Sequence, residues 1–204
     1  SKDSLINGSI RSRSSALYAE REEELQEITR RFYTDYKSVR LETARNILEH
    51  NDGIEIDKAV TYAQTILDRI LFAAFLEDLH LIPAETIEKA YRSQNHFSPT
   101  SRWDNFRGLF KAMDEGNAAL SIPEYNGGLF RAHPEILNLT LSDTLFEGYK
   151  RLADYDFLSD LRVNILGHVF EQSITDIDVL KASLRGEENT DTRRHDEGAY
   201  YTPD

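Results

Sequence analysis

Cysteine is absent from the 204 residues, which excludes disulfides and thiolate metal sites and points to a reducing, cytoplasmic compartment. The opening SKDSLINGSIRSRSS has no apolar stretch of the kind a secretory signal needs. No apolar run is expected to reach the length of a membrane span. A surplus of positive charge is missing too: 36 acidic residues outweigh 24 basic ones and leave a net charge of −12. A domain that grips DNA by itself usually carries a basic face. The one local basic bias, Arg11, Arg13, Arg21, Arg30 and Arg31, is interrupted by Glu20, Glu22, Glu23, Glu24 and Glu27. That alternation reads as a solvated helix with ion pairs four residues apart.

What is present is helix. Hydrophobic residues make up 40% of the chain, enough for a core that buries roughly 70% of the unfolded surface. A first helix is expected from a cap at Ser14 or Ser15 to about His50, with Leu25, Ile28, Phe32, Tyr36, Val39 and Ile47 on one stripe. Asn51 and Gly53 suit the turn that ends it. A second helix is expected from Asp57 to about His80. Nine of the eleven residues from Ile66 to Leu76 are apolar, so this helix should be enclosed on all sides and form the centre of the core. Asp68 and Arg69 interrupt that run. Being adjacent, they point apart and must find partners on other elements or reach solvent.

Further helices are expected at 83–92, 101–115, 142–155, 160–173 and 176–184, the one at 101–115 carrying an aromatic stripe of Trp103, Phe106, Leu109, Phe110 and Met113. Residues 116–141, with two prolines and Asn126-Gly127-Gly128, form the irregular part. The fold class is all-α, a multi-helix bundle. Its expected organisation is a disordered start (1–13), a helical domain (14–185), a charged, apolar-free linker (186–197) and a distinct tail (198–204).

Motifs for chemistry are sparse. The six histidines show no pair at the three-to-five spacing of a helical metal site. Gly127 and Gly128 lack the preceding strand and following Lys-Ser of a phosphate loop. Asp35 and Lys37 could form half of a metal-dependent nuclease site, but such a site needs a second carboxylate on a facing strand. No catalytic residue and no metal ligand is assigned.

Four stretches carry a family resemblance: ILDRILFAAFLEDLHLIP (66–83), YNGGLF (125–130), ILGHVFEQSITDID (165–178) and RRHDEGAYYTPD (193–204). In this order they resemble the region just upstream of the methyltransferase domain in single-chain restriction–modification enzymes of type IIG and in related adenine-specific DNA methyltransferases of phage defence. The resemblance covers residues 57–204. It implies a helical connector between an N-terminal nuclease domain and a γ-class methyltransferase that uses S-adenosylmethionine, with DNA bound by the rest of the parent protein. It also implies that Gly198, Tyr200, Tyr201, Thr202 and Pro203 begin the methyltransferase and line its cofactor pocket. The glycine-containing cofactor motif, the Asn-Pro-Pro-Tyr loop that holds a flipped adenine, and the nuclease carboxylates of such enzymes have no counterpart here. The chain is therefore expected to lack an active site and to bind no cofactor alone.

Read without the resemblance, GAYYTP is an extended segment entering a helix capped by Thr202, and the two readings are compatible. YNGGLF is either a turn tucking Leu129 and Phe130 into the core or a contact for DNA or the methyltransferase. A free-standing helical adaptor and a small nuclease built on Asp35 and Lys37 are the alternatives to the connector.

Overall fold

The computed structural model describes residues 2–94, 96–97, 99–125, 127–159 and 163–187, with side chains from 16 onward except those of 163–165. Among them are eight α-helices, no strand, and one isolated bridge between Asn117 and Ile122. They are α1 (Lys2–His50), α2 (Ile56–Asp78), α3 (Thr86–Arg92), α4 (Arg102–Glu115), α5 (Pro134–Leu137), α6 (Leu145–Ala153), α7 (Val163–Thr175) and α8 (Ile177–Arg185). The all-α expectation is met.

α1 starts earlier than the serine caps predicted. Its backbone is helical from Lys2, across residues 2–13 of the expected disordered start, and Ser14 and Ser15 lie inside it. No proline interrupts this stretch, so nothing forces a break there. At about 1.5 Å per residue the helix is roughly 70 Å long. Among its described side chains the packed ones lie in the second half: Phe32, Tyr36, Val39 and Ile47 are fully buried, whereas Leu17 and Tyr18 are 66% and 73% exposed.

After a turn in which Gly53 takes φ 75°, α2 runs back along α1 and becomes the core helix. Ile66, Leu67, Ile70 and Leu71 are buried. By length and composition α2 could cross a membrane, contrary to expectation, yet 67% of its apolar stretch is buried inside the protein. The aliphatic residues of α2 face other helices, which is the environment its composition demands.

α3 begins at Thr86, later than Pro83 predicted, because Glu85 adopts a left-handed conformation (φ 61°) that a helix cannot contain. α4 begins at Ser101 as expected. The Ser101 hydroxyl accepts from the Asp104 amide while the Asp104 carboxylate accepts from the Ser101 amide, a complete capping box. Trp103 and Phe106 of α4 meet Phe146 of α6, with 5.0 Å between the Phe106 and Phe146 rings, and Phe146 lies 5.0 Å from Tyr149 on its own helix. At Gly148 α6 touches α1: an added Cβ would lie 3.0 Å from a Val39 methyl.

Residues 116–141 are irregular as predicted, holding a 3₁₀ turn (Ala118–Leu120) and the four-residue α5. α7 and α8 meet at Asp176 almost without a connection, and α8 ends where Gly186 takes φ 73°. Of the expected linker, residues 188–197 lie outside the described residues, as does the tail 198–204.

Candidate functional site

Asp68 and Arg69 organise the polar interior. They diverge, as adjacent helix positions must. Arg69 is 2% exposed. Its Nε donates to the Leu129 carbonyl and its Nη2 to the Arg131 carbonyl, both at 2.8 Å, and the guanidinium lies 5.5 Å from the centre of the Phe110 ring. Burial pulls its pKa down from the ordinary range, with Asp114 opposing. Asp114 secures the same loop by accepting from the Ala132 amide.

YNGGLF is therefore a turn fastened from beneath. Phe130 is buried, Leu129 packs at the edge of the core, and the Tyr125 hydroxyl donates to the Leu81 carbonyl. Gly128 takes φ 78°, a conformation that glycine adopts without cost. The turn-and-tuck reading of this motif fits these contacts.

Asp68 faces the other way, toward α1. Its Oδ1 accepts from Gln64 Nε2 at 2.7 Å, and the same amide donates to the Tyr36 hydroxyl at 2.6 Å. The Gln64 carbonyl oxygen accepts from Arg40 Nη1 at 3.1 Å. Arg40 is 2% exposed, and its Nη1 also donates to the Ser173 carbonyl at 2.8 Å. Burial lifts the Asp68 carboxyl to about 6 against the pull of Gln64 and Arg40. Burial and the nearby Asp68 raise the Tyr36 phenol to about 12.

Arg40 thus ends at the last turn of α7, where exposed carbonyls favour a cation. One residue on, at the start of α8, Asp176 accepts from the Tyr33 hydroxyl and lies 3.3 Å from Lys37 Nζ. Burial works to raise the Asp176 carboxyl, but Tyr33, Lys37 and Arg40 outweigh it and hold it below the usual range.

These contacts account for Asp35 and Lys37. Asp35 accepts from the Tyr155 hydroxyl at 2.8 Å and lies 3.9 Å from Arg151 Nε, while Lys37 serves Asp176 and stands 5.0 Å over the Tyr33 ring. The pair is divided between two structural contacts. Among the described residues no group of three or more His, Asp and Glu is placed to hold a metal.

Three of the four motif segments therefore form one body. Arg69 of the first holds the second, and Gln64, beside Asp68, bridges to Arg40, which holds the third. The predicted cofactor residues Gly198, Tyr200, Tyr201, Thr202 and Pro203 lie outside the described residues. Arg40, the pivot, was not among the residues singled out by motif. Its signal was position: it falls four residues after Tyr36 and seven before Ile47, on the apolar stripe of α1.

No family model and no solved structure matches the chain. It is similar to a candidate type II restriction enzyme and methyltransferase of Methanocaldococcus jannaschii, with 27% identity over 177 residues. The similarity covers 74% of this chain but only 14% of that much longer protein. By this likeness the chain is related to restriction–modification proteins.

Proposed function

We propose that this chain is the helical connector of a restriction–modification enzyme of the type IIG kind. In this reading it joins a nuclease domain to a γ-class, adenine-specific DNA methyltransferase that uses S-adenosylmethionine and acts in phage defence. The observation that carries the reading is the union of the three motif segments in one packed body, in a chain similar to a small part of a long restriction–modification relative. A connector must transmit orientation between its two ends, and a body cross-linked by buried charge-assisted hydrogen bonds is suited to that.

The role of Gly198, Tyr200, Tyr201, Thr202 and Pro203 follows from the same reading. Thr202 would offer its hydroxyl or amide to the carboxylate of the cofactor, Pro203 would set the entry into the next helix, and Gly198 would permit the turn out of the linker. S-adenosylmethionine supplies the methyl group when bound. The test is calorimetric titration of the full-length protein that carries this chain. Thr202→Ala should weaken S-adenosylmethionine binding by about ten- to a hundredfold, the effect of losing a hydrogen bond to a charged group. Unchanged affinity would reduce Thr202 to a helix cap.

A further inference from the structure

We propose that α7–α8 is a clasp: a helix pair that opens from the rest of the bundle as a unit of its own, held shut by Arg40 at the α7–α8 junction. The inference stands on the contacts of this chain and does not depend on the connector reading.

The described part of the pair buries fewer apolar side chains than α6 alone, with Phe170 and Leu184 partly buried against the core. Among the described side chains of α7 and α8, only Leu166, Val169 and Leu180 are buried hydrophobics, whereas Ile174 is 70% and Val179 43% exposed. The aromatic cluster that joins α4 to α6 has no counterpart in the described part of this pair. Its substantial contacts are with α1 and α2.

Polar contacts supply much of the attachment, and they gather at one point. Arg40 Nη1 reaches the Ser173 carbonyl at the end of α7, and Tyr33 and Lys37 reach Asp176 at the start of α8. Midway along α8, Lys181 Nζ is 2.6 Å from the Asp57 carboxylate, a pair open to solvent on the Asp57 side that contributes little. Among the described residues, the stretch 173–176 thus carries the buried part of the polar attachment.

The closed state also holds an unmet demand. Among the described residues, none accepts a hydrogen bond from the buried Arg40 Nε. The guanidinium's charge acts on two carboxylates, Asp68, to which Gln64 links it, and Asp176 at the helix junction. A buried charge with an unpaired donor costs free energy that hydration would return. Opening of α7–α8 removes the Ser173 contact and admits water to Arg40 in the same event. Strong contacts concentrated at one point, little apolar burial and an internal cost favouring release are what a local two-state element requires.

Hydrogen exchange of the intact chain, read by mass spectrometry, tests this. Amides of α7 and α8 should exchange together, about tenfold or more ahead of those of α4. Arg40→Met should accelerate α7–α8 by a further ten- to a hundredfold, roughly the loss of a hydrogen bond from a charged group, and leave α4 within about twofold. Tyr33→Phe should act on the same amides in the same direction, and together with the unaltered chain it decides the matter if Arg40→Met fails to fold. Exchange of α7–α8 in step with α4, or equal acceleration of both by either substitution, would overturn the clasp.

Discussion

Arg69 Nε donates to the Leu129 carbonyl at 2.8 Å, so a buried charged residue of the core helix α2 fixes the glycine turn. The guanidinium satisfies two carbonyls at once, Leu129 and Arg131. Arg69→Met would fill similar space but leave both acceptors without their buried donor. Urea unfolding should report a loss of about 2–4 kcal/mol, and residues 125–131 should become the first site of limited proteolysis. Arg69→Lys should recover only part of the loss, because an ammonium cannot span two carbonyls as the planar fork does. A loss below about 1 kcal/mol for Arg69→Met would show the turn to be held by Phe130 alone.

The weight of the core lies with the aliphatic residues of α2. Ile70 is 1% exposed, whereas Phe72 and Phe75 are only partly buried and pack at the edge of the cluster. Ile70→Ala should cost about 2–5 kcal/mol in a denaturant melt. Phe75→Ala should cost less than the 3–5 kcal/mol typical of a fully enclosed ring. A larger effect at Phe75 than at Ile70 would reverse this ranking.

Asp68 makes stability depend on pH in a defined direction. Burial lifts its carboxyl to about 6 in the folded protein, against 3.8 for a free aspartate, so between those values the folded state holds the proton that the unfolded chain releases. The group's contribution to stability is present at low pH and is lost as pH rises toward 6 and above. Asp68→Asn keeps an acceptor for Gln64 and removes the titration. The substitution should therefore gain stability relative to the unaltered chain by about 1–2 kcal/mol on going from pH 4 to pH 8, after allowance for solvent screening. Paired urea melts at the two pH values measure it, and a difference that does not change with pH would refute it.

The helical class, the aromatic stripe of α4, the irregular 116–141 segment and the divergence of Asp68 from Arg69 were legible in the sequence, because each follows from periodicity or from turn chemistry within a few residues. Arg40 was not. An arginine in a helix rich in Arg and Glu reads as solvated, and only the return of α2 and α7 onto α1 buries it. The start of α3 was misplaced for a similar reason, since the left-handed Glu85 has no composition signal. Glu77, on α2, accepts from the amides of Glu85 and Ile87 and holds that turn. The apolar run 66–76 reads as enclosed on all sides, but the face that carries Phe72 and Phe75 is only partly buried.

The net charge of −12 predicts weak DNA binding by this chain, since repulsion from the phosphates has no dense basic stripe to offset it. Fluorescence anisotropy with a labelled duplex at physiological salt should give a dissociation constant above about 1 μM. Submicromolar binding would reveal a basic face, with Arg193 and Arg194 the first residues to substitute.

The central claim is that this chain is the connector of a larger DNA-modifying enzyme, and methyl transfer from labelled S-adenosylmethionine to duplex DNA tests it most directly. The full-length protein that carries residues 1–204 should label DNA at adenine N6, and the 204-residue chain alone should not. Labelling by the chain alone, or none by the full-length protein, would contradict the account.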